Sequence, residues 1–231
     1  MVRHVGIIAC SAEGAAECYR TLCAQAEPLL GAHGNPPVSL HMQPLAEYVR
    51  HLEAGRPDLV GELMLDSARR LQASGAQLLI CPDNTIHQGL PHVADRMPLP
   101  FLHIAEVVAE EAVRRGFRRL ALTGTVWLTE SDVYPQALGR QGIETVLPTK
   151  AERTEIGRII MDELVRGKLE ASAEAYFRQV IGRMAREDGC DAVVLGCTEI
   201  PLLMNDGNSP LPTLDSTRLL ALAALRHAVE A

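Results

Sequence analysis

The sequence predicts an α/β protein in which helices cover both faces of parallel strands. Two observations support this class: a unit of amphipathic helix, glycine and apolar strand occurs three times, and its strands are nearly all apolar. Strands that are buried on both faces are typical of parallel sheets. Because helix and strand alternate along the chain, we expect right-handed crossovers.

In each copy of this unit, apolar residues three and four positions apart form one stripe of the helix, and a glycine supplies the left-handed C-cap. The opening segment Val5–Ala9 predicts a further strand of the same kind. The three copies are helix Leu59–Leu71, Gly75 and strand Gln77–Ile80; helix Ile104–Arg115, Gly116 and strand Leu120–Leu122; and helix Ala173–Arg186, Gly189 and strand Ala192–Leu195.

Two proline-marked stretches interrupt the repeats, and we expect the chain to cross between two similar lobes there. Arg96–Pro100 precedes the apolar segment Phe101–Ile104, whereas Asn208–Pro212 precedes Thr213–Asp215 and a final helix from Ser216 to Val229. The predicted lobes are residues 1–98 with 209–231, and residues 99–208. The active site is expected in the cleft between them.

Composition limits the possible functions. The formal net charge of −7 argues against broad nucleic-acid binding but allows a small anionic substrate. No apolar run approaches the roughly 20 residues that span a bilayer. The first residues enter a strand without a signal peptide, so we expect a cytoplasmic protein with no membrane partner. The six cysteines contain no CxxC pair and no zinc-like spacing, which predicts no metal site.

The chemistry is expected in the polar turns after the strands, because ligands of parallel α/β sheets bind beyond the carboxyl ends. Asp83 and Cys197 each place a proton-active side chain at such an end, and they are 197 − 83 = 114 residues apart, one in each predicted lobe. Backbone N–H groups at a helix start attract a carboxylate, and the same field favours a thiolate. Small hydrogen-bonding residues follow both positions: Asn84, Thr85 and Thr198.

Structural explanations remain open at these positions. Asn-Thr after a strand is common turn chemistry. Taken alone, Cys197 could be a structural residue, because most free cysteines are small, buried, apolar side chains. His87 could cap a helix or pack in the core. The matched turns favour a catalytic interpretation in which Asp83 and Cys197 face opposite sides of one substrate carbon.

These turns resemble motifs of the aspartate/glutamate racemase family, which also includes hydantoin racemases, maleate isomerases and arylmalonate decarboxylases. Asp83–His87 is similar to the motif of its first half, and Val193–Pro201 is a close match to that of its second half. The resemblance extends to Leu102–Ile104, to Gly124-Thr125 with Tyr134 downstream, and to Pro212–Thr217, so it spans almost the whole chain.

The resemblance implies two α/β lobes, a homodimer, and proton transfer at carbon by one cysteine from each lobe, without pyridoxal phosphate or a metal ion. It implies a small acidic amino acid or dicarboxylate as substrate. Donors around the substrate carboxylate would stabilise the carbanion. The expected binding residues are Ser11, Asn84, Thr85, Thr125, Thr198 and Glu199, with Arg166 and Lys168 for side-chain recognition.

The chain departs from the family pattern where Asp83 occupies the position of the first cysteine; Cys81 lies two residues earlier. An aspartate can act as a base or acid, although it would repel a dicarboxylate substrate. Three functions remain open: a racemase using Asp83 and Cys197, a single-thiol decarboxylase or cis–trans isomerase using Cys197, and a protein that binds a small acid without turnover.

Overall fold

The computed structural model describes residues 1–230, and within them the strands form two parallel sheets of four strands each. The strands are β1 (Val5–Ala9), β2 (Val38–Met42), β3 (Leu78–Ile80), β4 (Phe101–Leu102), β5 (Arg119–Thr123), β6 (Glu144–Val146), β7 (Ala192–Leu195) and β8 (Thr213–Asp215). The α-helices are α1 (Ala12–Ala24), α2 (Glu27–Leu30), α3 (Leu45–Glu53), α4 (Pro57–Ala73), α5 (Ile104–Arg115), α6 (Val126–Thr129), α7 (Val133–Arg140), α8 (Lys150–Asp162), α9 (Ala171–Glu187) and α10 (Ser216–Val229). Short 3₁₀ helices cover Thr85–His92, Ala94–Arg96, Leu164–Arg166 and Ile200–Leu202.

The chain divides into two compact units. The first contains Met1–Val107 and the chain from Thr217 onward, and its sheet has the order β2-β1-β3-β4. The second contains Val108–Ser216, and its sheet has the order β6-β5-β7-β8. The two sheets therefore have the same topology, in which β1 corresponds to β5 and β3 corresponds to β7.

Apolar side chains cover both faces of the first sheet. Along β1, Val5 and Ile7 join a core cluster with Leu22 of α1 and Leu220 of α10. Ile8 points to the opposite face, because successive strand residues alternate. It packs there in a second cluster with residues of α3 and α4, among them Tyr48, Met64 and Leu71. This two-sided burial explains why the strand is apolar at every position.

The core of the second unit joins its sheet to α8 and α9. Val193 and Leu195 of β7 pack in one cluster with Ile159 of α8 and Phe177 of α9. The capping box of α8 helps to fix where that helix begins, since Thr149 Oγ1 accepts from Glu152 N–H at 3.3 Å and Glu152 Oε2 accepts from Thr149 N–H at 2.8 Å.

The predicted α/β class is confirmed. The bounds of β1, β7, α5 and α10 agree with the predicted segments. The helix-ending glycines Gly75, Gly116 and Gly189 have φ values of 95°, 79° and 67°, as left-handed C-caps require. No helix within residues 1–230 is both long enough and apolar enough to cross a membrane.

The predicted boundaries at residues 98 and 208 need correction. β4 pairs with β3 of the first sheet, and β8 pairs with β7 of the second. Each proline-marked stretch therefore leads into the edge strand of the sheet that it follows. The chain leaves the first unit within α5 and returns to it at the start of α10.

Candidate active site

In the first unit, the turns after β1 and β3 lie side by side. The two strands are parallel neighbours, with Ile7 paired to Ile80. Continuing this register past the strand ends brings Cys10 level with Asp83. The Cys10 thiol donates a hydrogen bond to Asp83 Oδ2 at 3.0 Å. Cys10 is buried, with only 2% of its surface exposed.

The Asp83 carboxylate is held in a defined orientation. Its other oxygen, Oδ1, accepts from Ile86 N–H at 3.1 Å. The sulfur of Cys81 lies 3.7 Å from the main-chain carbonyl oxygen of Asp83, which is a different group from the carboxylate that Cys10 contacts. Burial, followed by the charge of Asp83, raises the pKa of the Cys81 thiol well above its ordinary value. Cys81 therefore stays a neutral, buried thiol.

His87 fixes the main chain of the same turn. Its Nδ1 lies 2.7 Å from the Asp83 carbonyl oxygen, and its Nε2 accepts from Ile104 N–H, at the start of α5, at 3.3 Å. Burial, followed by the charge of His103, lowers the pKa of His87 well below its ordinary value. The ring is therefore neutral, with its hydrogen on Nδ1. Both structural interpretations of His87 apply, because the ring caps the start of α5 and also packs in the interior against Phe101 and His103.

Close backbone packing places the 3₁₀ helix Thr85–His92 against α4. A Cβ atom on Gly61 of α4 would lie 2.5 Å from the carbonyl oxygen of Gly89. Only glycine allows this approach without displacing the backbone. The helix that follows Asp83 is thus positioned by a glycine contact as well as by His87.

In the second unit, the turn after β7 brings a thiol and a carboxylate together. The Cys197 thiol donates to Glu199 Oε2 at 3.0 Å, and Thr198 Oγ1 donates to the same oxygen at 2.7 Å. Glu199 is 2% exposed. Its other oxygen, Oε1, is buried and has no hydrogen-bond partner among residues 1–230. This carboxylate therefore accepts hydrogen bonds from both side chains that precede it in the turn.

The turn after β5 lies beside that pair. Thr123 pairs with Leu195, so the register brings Thr125 level with Cys197. Thr125 Oγ1 accepts from Leu128 N–H at 3.1 Å and caps the short helix α6. A Cβ atom on Gly196 would lie 2.6 Å from the Thr123 carbonyl oxygen, so the turn before Cys197 requires a glycine.

Comparison with known proteins agrees with this fold. The sequence profile of the Asp/Glu/hydantoin racemase family matches residues 5–224. The chain belongs to this family. The match supports an isomerase of the amino-acid racemase type.

Individual relatives of this racemase-family chain cover most of its length. The broad specificity amino-acid racemase RacX of Bacillus subtilis (strain 168) is 21% identical over 171 residues, which are 73% of each protein. The crystal structure of a candidate Asp/Glu racemase from Yersinia pestis has a TM-score of 0.86 at 26% identity, over 98% of this chain and 99% of that one. An aspartate racemase homologue from Pyrococcus horikoshii OT3 has a TM-score of 0.82 at 27% identity, with the same coverage.

The remaining predicted binding residues form two groups, one buried and one exposed. Those at strand ends are buried: Ser11, Asn84, Thr85, Thr125 and Thr198. Arg166 and Lys168 lie after α8 with exposed side chains, and Arg166 pairs with Asp162 at 3.7 Å. Among residues 1–230, no group of three His, Cys, Asp or Glu side chains is arranged to hold a metal ion.

Sequence reasoning missed Cys10 as a functional candidate. It is the first residue after the opening strand and directly precedes Ser11, a predicted binding residue. The missing information is the sheet order, because only the pairing of β1 with β3 places Cys10 beside Asp83.

Proposed function

We propose that the protein is an amino-acid racemase that works without pyridoxal phosphate or a metal ion, on aspartate, glutamate or a related acidic amino acid. The observation that carries the proposal is the Cys197 thiol, which is hydrogen-bonded to the buried carboxylate of Glu199 at the end of β7. Such a pair can take a proton from carbon and return it, because the carboxylate accepts the proton of the thiol as the thiol sulfur receives another.

The first unit contributes the proton-transfer group at Asp83, which follows β3 as Cys197 follows β7. In the proposed reaction, one of these groups removes the α-proton from one side of the substrate carbon. The other group delivers a proton to the opposite side, which inverts the configuration.

The intermediate requires stabilisation because the α-proton of an amino acid is only weakly acidic. We assign this role to donors held around the substrate carboxylate: the hydroxyls of Ser11, Thr85, Thr125 and Thr198 and the amide of Asn84. Burial strengthens such interactions, since there is little water to compete with them. Arg166 and Lys168 are proposed to recognise the side-chain carboxylate.

The proposed substrate class is supported by the family and by the descriptions of the relatives. The Pyrococcus protein is described as an aspartate racemase homologue, whereas RacX is described as having broad specificity. A panel of amino acids is therefore needed, with aspartate and glutamate first. We also propose a cytoplasmic homodimer, which fractionation and light scattering would test.

The decisive experiment is incubation of the full chain with L- and D-amino acids in D₂O. NMR follows loss of the α-hydrogen, and chiral chromatography follows inversion. We expect α-deuterium incorporation together with the opposite enantiomer, and activity that survives dialysis against EDTA without a pyridoxal absorption band. No exchange on any amino acid would refute racemisation, and maleate and substituted malonates would then test the isomerase and decarboxylase alternatives.

Cys197→Ser tests the site itself. Its hydroxyl is far less acidic than a thiol, so we expect turnover to fall by at least about 100-fold. Cys190→Ser is the matched control, because Cys190 is a buried cysteine of the same unit whose pKa burial raises to about 11. Equal activity of the two variants would contradict the assignment of Cys197.

A further inference from the structure

The first unit contains a thiol that the proposed pair of Asp83 and Cys197 leaves without a role. Cys10 follows β1 directly, and its sulfur lies 3.0 Å from Asp83 Oδ2. The distance between Cys197 Sγ and Glu199 Oε2 in the second unit is the same, 3.0 Å. Each unit therefore presents one thiol that donates to one carboxylate at the carboxyl edge of its sheet.

The two sheets have the same topology, but the thiol follows a different strand in each unit. In the second unit, the thiol and the carboxylate both follow β7. In the first unit, the carboxylate follows β3, the equivalent of β7, whereas the thiol follows β1. The cysteine that the family motif places after β3 is thus replaced by an aspartate, and a thiol reaches that aspartate from the neighbouring strand.

The surroundings of Asp83 suit a carboxylate that serves the Cys10 thiol. Ile86 N–H holds Oδ1, which leaves Oδ2 facing Cys10. Two ionisable side chains beside the pair, Tyr48 and Cys81, stay neutral. Burial is the main cause that raises the pKa of Tyr48 far above its ordinary value, and burial followed by the charge of Asp83 raises the pKa of Cys81.

We propose that Cys10 is the residue of the first unit that exchanges a proton with the substrate, and that Asp83 accepts and returns the proton of its thiol. The inference rests on the proposed racemase function and deepens it. In one direction, the α-proton moves to Cys10 Sγ while the thiol proton moves to Asp83, and the electron pair of the C–H bond stays on carbon. Glu199 is protonated at the start of this direction, so Cys197 then gives its proton to the opposite face, receives the proton of Glu199, and leaves Glu199 ionised. The reverse reaction exchanges these roles, so protons and charge balance without an oxidant or reductant.

The test compares the wild-type chain with Cys10→Ala, Cys197→Ala and Cys81→Ala in D₂O, with each enantiomer of aspartate or of the best substrate found. Cys81→Ala is the matched control, because Cys10 and Cys81 are buried in the same apolar cluster. We expect Cys10→Ala to lose racemisation by at least about 100-fold. It should still exchange the α-hydrogen of one enantiomer with retention of configuration, and Cys197→Ala should exchange only the other.

Asp83→Asn separates the two possible roles of the aspartate. If Asp83 serves the Cys10 thiol, the thiol must ionise unaided in this variant, so its low activity should rise with increasing pH, because the thiolate is the reactive form. If Asp83 meets the substrate directly, activity is lost at every pH. Cys10→Ala would then also racemise like Cys81→Ala.

Failure of the inference can be distinguished from failure of the function. Racemisation by Cys10→Ala within about threefold of the Cys81→Ala rate overturns the role of Cys10 and leaves the racemase proposal standing. A wild-type chain that exchanges no amino acid overturns both. Cys10→Ser, with circular dichroism of all variants, guards against loss of fold, and it should lose racemisation as Cys10→Ala does.

Discussion

The protonation state of His87 gives a prediction that can be worked through from the structure. The imidazole is 1% exposed, and its Nε2 accepts from Ile104 N–H. A protonated Nε2 would place two donors against each other, so the folded protein requires the neutral ring. Substituting Gln for His87 offers an amide N–H and a carbonyl oxygen in place of Nδ1–H and Nε2, but Gln does not titrate.

The magnitude follows from proton linkage. In the unfolded chain, a histidine has a pKa of about 6.5, whereas burial holds the pKa of folded His87 well below that value. Below about pH 6.5 the unfolded chain therefore binds one more proton than the folded chain. The contribution of His87 to stability is complete above that pH and falls by about 1.4 kcal/mol per pH unit on acidification. Between pH 7.5 and pH 5.0 the loss is about 2 kcal/mol.

The assay is urea unfolding of the wild type and His87→Gln between pH 5 and pH 8, followed by far-ultraviolet circular dichroism, which reports the helices of both units. All other side chains are the same in the two proteins, so the difference in the free energy of unfolding isolates His87. We expect the wild type to lose about 2 kcal/mol more than the variant over this range. His92→Gln, at an exposed position, should behave like the wild type.

A difference that stays constant with pH would refute this reasoning. It would mean that His87 takes up a proton as readily in the folded protein as in the unfolded chain. The ring would then not accept a hydrogen bond from Ile104 N–H. Contacts other than that of His87 would then have to hold the main chain of Asp83 in position. A difference that changes with the opposite sign would require a folded-state pKa above about 6.5.

Three further predictions concern the turns and their support. Glu199→Gln should lower racemisation by about 10²–10⁴-fold, because an amide cannot take the thiol proton; unchanged steady-state rates would exclude this role. Gly61→Ala forces its Cβ against Gly89, so we expect about 1–3 kcal/mol lower stability by urea unfolding and slower turnover, whereas equal stability would contradict the contact. Burial alone would raise the pKa of Asp206, but its carboxylate accepts hydrogen bonds from the N–H and the hydroxyl of Thr213, and the pKa is lowered as a result. Asp206→Asn should therefore destabilise by up to about 1 kcal/mol at neutral pH, and by less as acid protonates the wild-type carboxylate; a gap that widens in acid would contradict this.

The central strands could be predicted because both of their faces are buried. β1 and β7 are apolar at every position, and their bounds agree with those predicted. The edge strands give a weaker signal. β2 contains Ser39 and His41 and is only partly buried, and β6 has three residues beginning with Glu144, so neither shows a continuous apolar run. Edge strands of a covered sheet are partly exposed, which weakens their hydrophobic pattern.

The candidate site could be predicted only as far as its residues lie close together in the sequence. Cys197 and Glu199 are two residues apart, so one motif shows both. Cys10 and Asp83 are 73 residues apart, and their contact depends on the pairing of β1 with β3. No spacing rule links two such positions, since the sheet order of an α/β unit is not fixed by its local pattern. The Cys81 thiol, which lies nearer in sequence, meets a carbonyl oxygen and stays neutral.

The two roles proposed for Asp83 differ in the symmetry of a reversible reaction. If Asp83 met the substrate directly, a carboxyl group would exchange the proton on one side and the Cys197 thiol would exchange it on the other. If Cys10 stands between Asp83 and the substrate, a thiol exchanges the proton on each side, and a carboxylate hydrogen-bonded to that thiol at 3.0 Å holds the spare proton on each side. In that arrangement, the replacement of a cysteine by Asp83 leaves the same pair of groups to act in both directions of the reaction.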